Sequence, residues 1–178
     1  MRDFLPSHHS ALGSVQTPRP DASVTLRPLP EGHVLQVLGS HGVDDIGSLL
    51  LEISDGADHT VRTAGPGQWF VVGDRSLSVQ EFLAIESRLE GKAALVDQSH
   101  GRVRIWVSGR QVEAMLAKGT AVDLDERSFK AGQTALTLVG HISVHLTRIA
   151  PDGFEILVLR SFAEDLWTNL NHMSVEFN

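Results

Sequence analysis

An α+β fold built on antiparallel sheet is predicted for this chain from three observations. Short segments of alternating apolar and polar residues recur along it, each bounded by Gly, Pro or Asp turns. Three other segments change to helical spacing, each opening on a Ser followed three residues later by Glu or Gln. Between Trp69 and Val139 the elements read strand, helix, strand, strand, helix, strand, which is the order of a split βαβ, ferredoxin-like unit.

Residues 1–22 carry Pro6, Pro18, Pro20 and the adjacent His8 and His9 without any periodicity, and read as a flexible N-terminal arm. Residues 23–178 read as a single domain. Val24 and Leu26 alternate with polar neighbours, Pro28 to Gly32 makes a turn, and Val34 to Leu38 is a second strand. Ile46 to Ile53 is an apolar run closed by Asp55-Gly56. His59 to Thr63 is extended, and Gly65-Pro66-Gly67 feeds a strand from Trp69 to Val72. Ser78 and Glu81 open a helix with Val79, Phe82, Ile85 and Leu89 on one stripe and Gly91 as its stop. Ser108 with Gln111 and Ser161 with Glu164 repeat the device, ahead of Val112, Met115 and Leu116 and of Phe162, Leu166, Leu170 and Met173. The short link from Asp97 to Gly101 predicts an antiparallel hairpin of Ala93–Val96 with Val103–Val107, Gly101 supplying a positive φ. A second hairpin, Ile142 to Ile149 with Phe154 to Leu159, turns at Pro151-Asp152-Gly153.

Composition narrows the chemistry. The 178 residues, 42% hydrophobic and 21% charged, fit an ordinary globular domain. Cysteine is absent, which removes disulfides, thiolate nucleophiles and Cys-type zinc sites. A formal charge of −7 argues against nucleic acid and anionic membrane as partners. No run approaches the ~18 apolar residues of a membrane span, and the opening residues lack a signal peptide's apolar stretch, so a cytoplasmic location is expected.

Motifs that catalysis would need are mostly missing. Gly65-Pro66-Gly67 has Phe70 where a dinucleotide fingerprint needs its third Gly, and Gly91-Lys92 lacks the rest of a phosphate loop. Asp97, Ser99 and His100 are the residue types of a hydrolase triad, but sequence neighbours rarely converge as one, and Asp97 and Ser99 read instead as caps of a turn. His141 and His145 have helical zinc-site spacing, yet on the alternating segment they occupy they lie roughly 13 Å apart, too far to share one ion. Asp44, Asp45, Asp123, Asp125 and Glu126 sit in loops as solvated or capping acids. No catalytic, cofactor-binding or metal-binding residue is therefore assigned. Arg102, Arg104 and Trp106 share one strand face opposite Val103, Ile105 and Val107. That face fits either a protein interface or a covered core. Trp167 flanks the last helical stripe as core or anchor.

A resemblance to a known family rests on Gly65-Pro66-Gly67-Gln68-Trp69, on Val96-Asp97-Gln98-Ser99-His100-Gly101-Arg102 and on Ile105-Trp106-Val107-Ser108-Gly109. It continues through Leu116-Ala117-Lys118-Gly119, Val122-Asp123-Leu124, Arg127-Ser128-Phe129, Gly132, Thr134 and Leu138. Phe154-Glu155 and the run from Arg160 to Trp167 close it, while His9-Ser10-Ala11-Leu12 departs from that family's R-S-P-L start. In order and spacing these resemble the gamma subunit of heterotetrameric sarcosine oxidase, from about Ser23 to Leu170. The resemblance implies a fold similar to the folate-binding T-protein, an aminomethyltransferase. It implies a non-catalytic accessory subunit beside alpha, beta and delta chains that oxidise sarcosine to glycine. FAD, FMN, NAD, zinc and tetrahydrofolate would be held by those partners. Two other readings stay open: a stand-alone folate-binding or aminomethyl-transfer protein, with Asp97 as the carboxylate to test, and the equivalent subunit of another N-methyl amino acid dehydrogenase. A hydrolase built on Ser99 and His100 ranks below both.

Overall fold

The computed structural model describes residues 9–12, 22–42, 46–56 and 59–178. Nine strands and four helices follow in chain order: β1 Thr25–Pro28, β2 His33–Gly39, α1 Ile46–Ile53, β3 Thr60–Gly65, β4 Gln68–Gly73, α2 Val79–Leu89 and β5 Ala93–Asp97. The second half runs β6 Arg102–Ser108, α3 Val112–Ala117, β7 Thr134–Val139, β8 Ile142–Ala150, β9 Gly153–Leu159 and α4 Ala163–Ser174. They form two antiparallel sheets, one ordered β3-β4-β2-β5 and the other β1-β6-β9-β8-β7.

Strand alternation explains the layering, because each sheet buries one parity of residues under helices and the other parity against its neighbour. Leu35, Val37 and Val71 pack with Ile46, Leu50, Ile85 and Leu89 of α1 and α2. Val103, Ile105, Val107, Val144 and Ile156 pack with Met115, Leu116, Leu166 and Leu170 of α3 and α4. Between the sheets lie Val34, Phe70 and Val72 from one and Leu157 from the other. The molecule is thus helix, sheet, sheet, helix in section. Of the arm expected over residues 1–22, Leu12 is buried in the α3–α4 core, Ala11 N–H donates to Glu31 Oε1 at 3.2 Å, and the His9 carbonyl accepts from Arg160.

The α+β class and antiparallel sheets agree with the sequence reading, but the split βαβ unit sits elsewhere. It is β2-α1-β3-β4-α2-β5, residues 33–97, with the strand order of a ferredoxin-like sheet. The predicted hairpin of Ala93–Val96 with Val103–Val107 does not form. β5 pairs with β2, while β6 pairs with β1 and β9 in the other sheet. The two strands serve different cores, and Gln98 N–H to the Val34 carbonyl (2.8 Å) and Val34 N–H to Ser99 Oγ (3.1 Å) fasten the link to the edge of β2. Gly101 is not among the positive-φ glycines. The Pro151-Asp152-Gly153 hairpin forms as read, β8 with β9.

One capping box of the three forms. Ser78 Oγ accepts from Glu81 N–H at 3.3 Å, and the Glu81 carboxylate takes Ser78 N–H at 2.8 Å. Gln111 and Phe162 are the N-caps of α3 and α4, neither with a side-chain cap bond. Ser108 is held as the last residue of β6, where its Oγ accepts from Trp106 Nε1, and Ser161 lies in a 3-10 turn before α4. The apolar run Ile46–Ile53 is a helix with Ile46, Leu50 and Ile53 on its buried stripe.

Candidate functional site

A groove of about 460 Å³ opens where the start of β2, the N-terminal turn of α2 and the end of β5 meet. The turn Glu31-Gly32 forms one lip. Gly32 approaches the Gly73 carbonyl so closely that a Cβ there would come within 2.0 Å of it, so no other residue fits without moving that backbone. Leu35, Leu77 and Phe82 give the apolar lining, and Asp97, which pairs with Leu35 across the sheet, lines the groove with Ser99 and His100. The three neighbouring residues singled out from sequence therefore do share the site.

Their bonding assigns them a turn rather than a triad. Ser99 Oγ donates to Asp97 Oδ1 at 2.5 Å and accepts from Val34 N–H at 3.1 Å, and Ser99 N–H donates to the same Asp97 oxygen at 2.9 Å. The hydroxyl proton is engaged by a carboxylate and no imidazole takes it, so the general base that nucleophilic attack requires is not in place. This bonding counts against the hydrolase reading.

His33 forms the floor, only 2% exposed. Its Nδ1–H donates to the Arg75 carbonyl at 2.9 Å, which leaves Nε2 to accept from His59 Nδ1–H at 3.1 Å. Burial, together with the neighbouring His59 and arginines, pushes His33 below the ordinary imidazole range, against the pull of the Arg75 carbonyl. Arg75 pairs with Glu81 at 2.8 Å. Glu31 pairs with Arg160 at 3.1 Å.

The other sequence candidates are scattered. His141 is exposed in the β7–β8 turn, whereas His145 faces the second sheet edge-on to Phe70, ring centroids 5.0 Å apart. Burial, then the Arg102 charge, lowers His145 to about 4. Asp123 accepts from Asp125 N–H, and Asp125 holds Arg127 through two oxygens, both as turn-forming acids. Among the described residues no group of three or more His, Asp or Glu converges as a metal site. Asp44, Asp45 and His8 lie outside the described residues. The face of Arg102, Arg104 and Trp106 is covered by the chain's own second sheet: Arg104 is buried and Trp106 half-buried, and Arg102 lies over the Phe70 ring at 4.7 Å. Trp167 packs partly buried against the α3–α4 core.

Two buried charge networks escaped the sequence reading. Glu155 accepts from Arg62 Nε at 3.0 Å through one oxygen and from Arg104 Nη2 at 3.0 Å through the other, stapling the sheets together. Arg148, fully buried, donates to the Leu124 and Pro151 carbonyls, pairs with Glu113 at 2.6 Å and covers the Phe154 ring. The available signal was parity: Glu155 alternates with Phe154, Ile156 and Val158, on the same face as Leu157.

These features define a two-sheet α+β domain, and solved structures share its fold. A chain of the heterotetrameric sarcosine oxidase from Corynebacterium sp. U-96 superposes with a TM-score of 0.83 at 19% identity, covering 96% of each chain. Glycine cleavage system aminomethyltransferase T from Bartonella henselae gives 0.59 at 18% identity, over 84% of this chain and 45% of that one. A putative C-terminal regulatory domain of aspartate kinase from Porphyromonas gingivalis gives 0.50 at 10% identity, over 87% and 99%. In sequence, residues 36–176 match the sarcosine oxidase gamma subunit family, and the chain belongs to that family. No curated protein matches the chain.

Proposed function

We propose that this chain is a non-catalytic accessory subunit of a multisubunit sarcosine oxidase, supplying shape and contact surface while the other chains carry out oxidative demethylation of sarcosine to glycine. The family match over residues 36–176 carries this reading. The commitment of Ser99 to Asp97 supports it, because the hydroxyl of the triad-like trio is spent on a turn. The partners on this reading are alpha, beta and delta chains in the cytoplasm, holding FAD, FMN, NAD, zinc and tetrahydrofolate. Among the described residues no helix is long and apolar enough to cross a membrane.

Of those groups only tetrahydrofolate has a claim on this chain, through the aminomethyltransferase likeness. The groove offers it one aromatic face, Phe82, and no buried carboxylate, since Glu31 and Asp97 are both exposed, so the residues present do not fit that role. Co-expression with the larger chains tests the proposal. Flavin absorbance and sarcosine turnover are expected only in the assembly, and turnover by the isolated chain would overturn it. A screen of other N-methyl amino acids on the assembly separates sarcosine oxidase from a related dehydrogenase.

A further inference from the structure

We infer that the groove beside α2 is the docking site for a segment of a partner subunit that presents a cation on an apolar stem, a lysine or arginine side chain. The inference rests on the reading of the chain as a subunit. Its first support is the groove's sign. The formally charged side chains lining it are both acidic, Glu31 and Asp97; Arg160 answers Glu31, which leaves Asp97 as the groove's acceptor for a cation, and the chain as a whole carries −7. Asp97 spends only Oδ1 on the turn, which leaves Oδ2 to accept an incoming N–H.

The second support is that anions are already provided for. A helix N-terminus attracts negative charge, but at α2 that place is taken: Glu81 accepts from Ser78 N–H and from Ser78 Oγ–H, both at 2.8 Å. Arg75, which precedes the lining residue Ser76, is paired with that same Glu81. His33 in the floor is neutral and hydrogen-bonded at both ring nitrogens.

The third support is shape. Leu77 and Phe82 wall the groove, and α2 continues the apolar surface outward through Val79 and Leu83, which are 75% and 49% exposed one helical turn apart. A methylene stem lies along such a wall while its charged head reaches the carboxylate. Large apolar residues left exposed beside a concave polar site are the composition of an interface rather than of a free surface.

The test uses the co-expressed assembly, reading release of this chain against salt concentration by mass photometry. Asp97→Asn keeps an oxygen for the Ser99 turn and removes the charge. It is expected to weaken assembly about tenfold and to flatten the salt dependence. Val79→Glu, at an exposed position, is expected to weaken assembly at least as much, and Glu126→Lys in a distant loop to leave it unchanged. Melting of each isolated variant reports that it is folded. An assembly that forms normally with both groove variants would overturn the docking site while leaving the subunit reading intact. A wild-type chain that never joins the flavin-bearing chains would remove the subunit reading and the docking site with it. Saturable binding of tetrahydrofolate to the isolated chain, lost in Asp97→Asn, would reassign the groove to a small molecule.

Discussion

Glu155 holds Arg62 and Arg104 in a space where each of the three side chains is about a tenth exposed or less. Removing one partner from such a group leaves charge buried without compensation, which costs far more than the intact group contributes. Glu155→Leu is therefore expected to destabilise the chain by about 3–5 kcal/mol in urea unfolding. Replacing Arg62, Arg104 and Glu155 together with apolar residues is expected to recover most of that loss. His145 makes a second case. Its folded ring titrates at about 4 because of burial and Arg102, whereas the unfolded ring titrates near 6.5. Between those values the unfolded state binds more protons, so stability is full above about pH 6.5 and declines as pH falls toward 4. His145→Leu is expected to remove that part of the acid sensitivity, read as a stability gap from wild type that changes across the interval and is constant outside it. At this scale the reading of Asp97 and Ser99 as caps of a turn matches their hydrogen bonds. The sequence could not place His33 with His59, because β4 separates the strands they adjoin, or Glu155 with Arg62, because those two belong to different sheets, and local periodicity does not give strand order.

At the scale of elements, α2 is the segment whose sequence and structure agree most fully. Its box is complete, and Ser78 and Arg75 hold the Glu81 carboxyl at about 2, far below the usual carboxylate range. A group lowered in this way stabilises the fold above about pH 4.3 and loses that contribution as pH falls toward 2. Ser78→Ala is expected to cost about 1 kcal/mol, measured by thermal melting at neutral pH, with a smaller effect near pH 2. The same Ser-x-x-Gln/Glu pattern failed at Ser108 and Ser161, since β6 runs on through Ser108 and Ser161 is taken up in a 3-10 turn. Local signals thus marked to within a few residues where α2, α3 and α4 begin, and gave no start for α1. They did not say which sheet receives the strand that follows. The link Asp97–Gly101 is short enough for a hairpin, and only the separate cores under Leu95 and under Val103 show why it cannot be one.

For the whole molecule, the interlock of the sheets through Phe70, Leu157 and Glu155 is expected to make the two halves unfold as one cooperative unit. The three tryptophans report on different layers: Trp69 on the α1–α2 core, Trp106 on the inter-sheet face and Trp167 on the α3–α4 core. Variants that keep one tryptophan each are expected to lose native fluorescence at the same temperature as the loss of far-ultraviolet circular dichroism. Separate transitions would show two independently stable halves. The strand order bears as well on how the chain matures. Among the described residues β1 pairs with β6 alone, and the Val24 backbone is clasped in both directions by the Asn178 side chain. On a translating ribosome, residues 33–97 emerge and can close while the five-stranded half still lacks its middle strand. The lip of the groove waits as well, because Glu31 takes its arginine from position 160. On the docking proposal, the groove is offered to a partner in full only once residue 160 has emerged and folded back onto the turn at residue 31.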